Sequence, residues 1–278
     1  MNESAKICKI GFIGSGDWSY VFLKYLNKIQ ECNLDIVLTI ENFTADFKNT
    51  MQSLSNISYY NSKADYRSLI KNRLDAIIMA GWPYKIPYEL IISVKCPIIN
   101  IHGSLLPRYR GPEPIIQMLL HNEKEGGVTL HKVDSNWDSG PICVQERFKI
   151  AETDNNRTLF FKAGRIGQKL LRKVIENILH DDLVFVPQNE SESSYYPKIK
   201  LENYVIDESK SINDVLQITR AFTGQYPLIG KSKNERYHIK EYKVVQAPFP
   251  DCHVMPLKDG YIILEKFDVL EGTSRIPF

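Results

Sequence analysis

Between Ile7 and His102, short apolar, β-branched runs alternate with amphipathic stretches, and no other feature narrows the fold so far. "ICKIGFIG", "LDIVLTI", "NISYY", "LDAIIMAGW" and "PIINIH" read as strands, separated by helix-like segments around residues 18–29, 65–73 and 87–94. Runs such as "DAIIM" are apolar on both faces, as strands of a parallel sheet covered by helices must be. This rhythm predicts an α/β fold: a Rossmann-like, mainly parallel sheet flanked by helices.

Further along, "PIIQMLLHN" reads as a helix and "GGVTLHKVD" and "PICVQERFKI" as strands. "NNRTLFFKAGRIGQKLLRKVIENIL" has the apolar spacing of a long helix. Residues 187–200, "PQNESESSYYPKIK", are polar with two prolines and suit a linker. Beyond them "SINDVLQITRAF" suggests a helix, and "RYHIKEYKVVQA" and "DGYIILEKFDVL" suggest strands. At 278 residues the chain exceeds the roughly 250 at which single cores stop growing. The expected division is a catalytic domain over 1–186, a linker over 187–200 and a small β-rich or mixed domain over 201–278.

With 43% hydrophobic and 24% charged residues, and no apolar run near the ~20 residues of a bilayer span, membrane insertion is not expected. The N-terminal "MNESAKICKIGFIG" lacks the features of a secretory signal, which points to the cytoplasm. Cys8, Cys32, Cys96, Cys143 and Cys252 are scattered, with no C-x-x-C, so neither a disulfide framework nor a metal site is expected. A net charge of +2 gives little pull toward polyanions, so bulk nucleic-acid binding is disfavoured.

Gly14 and Gly16 in "GFIGSGDWS" stand where a dinucleotide fold places its phosphate-binding turn, although Ser19 replaces the third glycine and Glu41 is only a plausible ribose partner. A tight strand-to-helix turn favours glycine without any ligand, so a nucleotide-binding module is the non-enzymatic alternative.

Asn100 and His102 lie two apart at the end of an apolar run, so a strand would aim both into one volume. The imidazole can exchange a proton near neutral pH, and the Asn amide is a donor that cannot ionise. Asp138, in "VDSNWDSGPI" between two expected strands, can be brought beside His102 by folding. The three would then supply proton transfer, its tuning and stabilisation of an oxyanion. His131 falls within a strand-like stretch and reads as packed; His121, His180, His238 and His253 have no polar motif around them.

"NIHGSLLPRYRG" followed by "GVTLHKVDSNWDSGPI" resembles the signature of the 10-formyltetrahydrofolate-dependent formyltransferases. "LDAIIMAGWPYKIP" is similar to that family's folate loop, and "YYPKI", "VIDESKS" and "RAFTGQYP" to its C-terminal portion. The resemblance implies that Asn100, His102 and Asp138 are catalytic, that Ser104, Leu105, Leu106 and Pro107 line the folate site, and that 10-formyltetrahydrofolate is the formyl donor. Gly81, Trp82, Ile86 and Pro87 are further cofactor candidates, with packing the competing reading for Trp82. Arg108, Tyr109 and Arg110 are expected to reach for the acceptor, the arginines through phosphate, with plain solvation as the alternative.

Family members differ in the amine they formylate. The motifs look like the methionyl-tRNA and amino-sugar branches, and the near-neutral charge favours a small acceptor, a nucleotide-linked amino sugar. Methionyl-tRNA formylation is the alternative, for which the basic "KSKNER" could be claimed. A sugar enzyme of this kind could dimerise through its C-terminal unit.

Overall fold

The computed structural model describes residues 6–39, 66, 69–70, 73–233, 235–248, 250 and 252–270, and the backbone of 58–60. The expected helix around 65–73 and Glu41 fall largely or wholly outside them. One seven-stranded sheet has the order β3-β2-β1-β4-β5-β6-β7. Its strands are β1 (Cys8–Gly14), β2 (Cys32–Leu38), β3 (Ser58–Tyr60), β4 (Ala76–Ala80), β5 (Ile98–His102), β6 (Glu125–Lys132) and β7 (Ile142–Lys149). Pairs from β3 through to β5 are parallel, and β6 and β7 are added antiparallel. The parallel part explains the continuous apolar runs: every residue of β4 is buried, as both its faces are covered.

Helix α1 (Gly16–Leu26) buries Ser19, Phe22, Leu23 and Leu26, one helical stripe. Helices α2 (Tyr88–Ser93) and α3 (Pro114–Leu120) are short; α4 (Asn156–Leu179) is the long helix. A Cβ on Gly167 of α4 would lie 2.7 Å from the Phe22 ring, so the glycine lets α4 approach that close. Below this layer Leu171, Val174 and Ile175 are fully buried.

The chain divides into two compact units. The first comprises residues 1–114, 125–149 and 161–197; the second comprises 115–124, 150–160 and 198–278. In the second, an antiparallel sheet has the order β10-β11-β9-β8. Its strands are β8 (Leu228–Ser232), β9 (Glu235–Val245), β10 (Val254–Leu257) and β11 (Gly260–Leu270). Helix α5 (Ile212–Phe222) begins with a reciprocal capping box between Ser211 and Asp214 and buries Val215, Ile218, Ala221 and Phe222. The short β8 and β10 were not anticipated; each has too few residues for a period-two signal.

Residues 187–197, expected as a linker, lie in the first unit and are hydrogen-bonded to it, as described below. Among the described residues, no helix is long and apolar enough to cross a membrane.

Candidate active site

Strand β5 carries Asn100 and His102 on one face, and their relative exposures are only 7% and 6%. The antiparallel β6 sets His131 opposite Asn100 and Thr129 opposite His102. Asp138 arrives from the β6–β7 loop with φ 53°, a left-handed conformation that aspartate tolerates better than most residues. Its Oδ1 lies 3.7 Å from His102 Nδ1, 3.6 Å from His131 Nε2 and 3.3 Å from Asn100 Nδ2. Asn100 Nδ2 is also 3.1 Å from His131 Nε2. Folding therefore brings the three expected residues together and adds His131, which the sequence reading left as packed.

The partners fix the proton arrangement. His102 Nε2 is 2.8 Å from the Tyr109 carbonyl, which only accepts, so Nε2 carries the hydrogen and Nδ1 of the neutral ring faces Asp138 with its lone pair. Burial holds the His102 imidazole below its usual value, against the opposing pull of Asp138 and the Tyr109 carbonyl. Burial pushes the Asp138 carboxyl up. The positive charge that His102 and His131 carry when protonated, together with the Gly111 N–H, outweighs that and holds it well below the ordinary carboxylate range. Asn100, with one Nδ2 hydrogen toward His131 and one toward Asp138, has both donors engaged.

The loop after β5 is tied down along its length. Thr129 Oγ1 donates to the Ser104 carbonyl at 2.7 Å and accepts from Leu106 N, while Gln145 Nε2 donates to Thr129 Oγ1 and to the Leu106 carbonyl. Ser104 is fully buried, its hydroxyl donating to the Arg108 carbonyl, so what it offers a ligand is backbone shape rather than its side chain. Leu105 is half-buried, Leu106 and Pro107 are buried, and the Leu106–Pro107 peptide is cis. Gly111, at φ 110°, donates from N to Asp138 Oδ2 at 2.9 Å. A Cβ there would stand 2.1 Å from the Tyr196 carbonyl.

Residues 188–196 form a strap over this loop. Ser194 Oγ accepts from Tyr109 N, the Ser194 carbonyl accepts from Arg110 N, and Tyr196 N donates to the Arg110 carbonyl. The Tyr109 and Tyr196 rings stack at 5.0 Å. Arg110, expected to reach for acceptor phosphate, is instead buried and bidentate to Glu190, at 2.6 and 2.9 Å, with Gln188 Oε1 accepting from Nη2 and Nε. Arg110 also forms part of the wall of the cavity described below. Tyr109 is buried at φ 60°, whereas Arg108 is exposed with its guanidinium over the Tyr109 ring.

Gly81 and Pro87 are exposed on the turn after β4. Trp82 and Ile86 are buried in an apolar cluster with Ile13, Leu38 and Leu90. The tight turn at Gly14 also has a packing cause: a Cβ there would meet Ser19 Oγ at 2.3 Å and the Ala80 carbonyl at 2.7 Å. Outside the Asp138 loop lies a cavity of about 460 Å³ whose walls include Asp134, Asn136, Trp137, Glu190 and Tyr195. Among the described residues, no group of three or more His, Cys, Asp or Glu side chains could hold a metal ion.

A Rossmann-like sheet with this polar cluster at the carboxyl end of β5 has its reactive groups where such sheets bind their ligands. A family model described as Formyl transferase matches residues 35–175, and the chain belongs to that family. It is 34% identical over 162 residues to methionyl-tRNA formyltransferase of Kosmotoga olearia, covering 58% of this chain and 52% of that protein. Against methionyl-tRNA formyltransferase of Ehrlichia ruminantium (strain Welgevonden) it is 33% identical, covering 77% and 69%. The chain thus spans about half of the first relative and about two thirds of the second. Its fold matches the crystal structure of the N-formyltransferase from Helicobacter canadensis in complex with folinic acid and dTDP-3-aminofucose. The TM-score is 0.68 at 21% identity, over 93% of this chain and 99% of that one.

Proposed function

We propose that the protein moves the formyl group of 10-formyltetrahydrofolate to the primary amine of a nucleotide-linked amino sugar. The observation that carries the chemistry is the convergence of Asn100, His102 and Asp138 on one buried polar cluster, with His102 Nδ1 left as an available base. When bound, the folate supplies the formyl carbon. The exposed turn at Gly81 and Pro87 and the pinned Leu105–Pro107 loop, ending neighbouring strands β4 and β5, fit a flat, partly apolar ligand.

His102 Nδ1 takes the proton that the acceptor amine loses, and the imidazolium so formed is balanced by Asp138 3.7 Å away. His102 then returns that proton to the leaving nitrogen. Asn100 donates to the negative charge that develops on the formyl oxygen, giving up its longer, 3.3 Å contact to Asp138 for that purpose.

For the acceptor, the similarity to the Helicobacter canadensis enzyme runs through 99% of that chain, and its described ligand is a nucleotide amino sugar. The cavity beside Asp138 has an exposed Trp137 and Tyr195 with Asp134 and Glu190, surfaces that suit a hydroxylated ring bearing an amine. A second reading, formylation of methionyl-tRNA, is favoured by the names of the sequence relatives. Incubation with 10-formyltetrahydrofolate and dTDP-linked amino sugars, charged initiator tRNA or free amino acids, with mass spectrometry of the product, tests both. A formylated nucleotide sugar is the expected result. Formylated tRNA alone overturns the acceptor, and no transfer to any amine overturns the reaction.

A further inference from the structure

We infer that Gln188 is a positioning residue that sets Asp138 against His102, because its single side-chain amide joins the two backbone segments that hold them. Its Nε2 donates to the carbonyls of Asp138 at 2.8 Å and Gly140 at 2.7 Å. Its Oε1 accepts from Arg110 Nη2 at 2.8 Å and Nε at 3.3 Å. Both amide hydrogens and the amide oxygen are used, so the group is held at both ends.

Each end governs one half of the site. The Asp138 carbonyl fixes the peptide that follows a residue in the left-handed region, φ 53°, and with it the direction in which the carboxylate leaves the backbone. On the other side Arg110 lies between Tyr109, whose carbonyl accepts from His102 Nε2, and Gly111, whose N–H donates to Asp138 Oδ2. Gln188 thereby links the backbone of the carboxylate to the loop that orients both the carboxylate and the imidazole. The inference rests on the proposed formyl transfer only for the step being tuned; the linkage is a property of the fold.

The identity of the side chain separates this role from simple bracing of the strap. A glutamate at 188 keeps an acceptor for Arg110 and loses both donors to the 138–140 turn. A methionine loses both ends. Gln188→Glu and Gln188→Met are made in the full chain. Four quantities are measured: kcat, KM for 10-formyltetrahydrofolate, the melting temperature, and the titration of the His102 imidazole by NMR. The charged and titratable groups facing that ring are Asp138, His131 and Arg110. In both variants kcat falls by about 10²-fold, as expected for a misplacement of around 1 Å, with KM for the folate unchanged. The His102 titration moves in both. Gln188→Glu with wild-type kcat and an unmoved His102 titration overturns the inference, since only the Arg110 contact would then matter. If Gln188→Met does not fold, Gln188→Glu decides. The titration needs no turnover: a shifted His102 in the uncharged Gln188→Met supports the linkage even where wild-type protein transfers no formyl group, which would count against the reaction alone.

Discussion

Asn100 and His131 are directly opposed in the antiparallel β5–β6 ladder, with Asn100 Nδ2 3.1 Å from His131 Nε2. His131 Nδ1 lies 3.1 Å from the Lys132 carbonyl, so Nδ1 carries the hydrogen and Nε2 accepts from Asn100. The histidine thereby holds the amide plane of its neighbour. His131→Leu leaves a buried amide hydrogen without its partner, at a cost of about 1–3 kcal/mol. Unfolding midpoints in urea should fall accordingly. Turnover should fall on the order of 10-fold, less than for loss of the acid-base group itself.

His102→Ala and Asp138→Asn should each lower kcat by about 10²–10⁴-fold. The asparagine can still accept from Gly111 N but cannot balance an imidazolium. Circular dichroism should show both folded; a folded variant with near-normal turnover contradicts the assignment.

Burial sets the sign of the pH dependence. The folded-state value of His102 is lowered, so the unfolded chain binds the proton first, and stability present above the ordinary imidazole range is lost as pH falls toward the folded value. Asp138 is likewise lowered, and its contribution is lost only below the ordinary carboxylate range. Denaturant midpoints should decline from about pH 6.5 downward, and His102→Asn should remove that first decline. The acid limb of kcat should lie below that pH, since the base is needed unprotonated.

Gly111→Ala forces a side chain into a φ of 110° and against the Tyr196 carbonyl. A loss of about 2 kcal/mol or more in stability is expected from thermal or urea unfolding. Turnover should fall with it, because the Gly111 N–H that orients Asp138 shifts.

Trp137→Ala should raise KM for the proposed nucleotide-sugar acceptor by a few-fold to about 10-fold while leaving KM for the folate unchanged. Steady-state kinetics with each substrate varied separately measures both. Equal effects on the two would place Trp137 outside the acceptor surface.

The sheet was legible because its signals are local. Runs such as "AIIMA" and the helical stripe of α1 state their burial without reference to distant residues. Asn100 and His102 were legible for the same reason, through strand parity. His131 was missed because its partner depends on the β5–β6 register, which no short stretch encodes. Gln188 and Glu190 were missed because a polar, proline-bounded segment has the composition of a linker, while their work is to satisfy Arg110, nearly eighty positions away or more. Arg110 was legible in part for the complementary reason: its position in the loop was clear, and the carboxylate that pairs with it was not.

The strap also marks where the molecule cannot be cut. A fragment ending at residue 186 would retain the sheet and all of Asn100, His102 and Asp138. It would leave the Arg110 guanidinium buried without its carboxylate and remove the hydrogen bonds that Ser194 and Tyr196 make to the loop. A catalytic piece therefore reaches at least Tyr196.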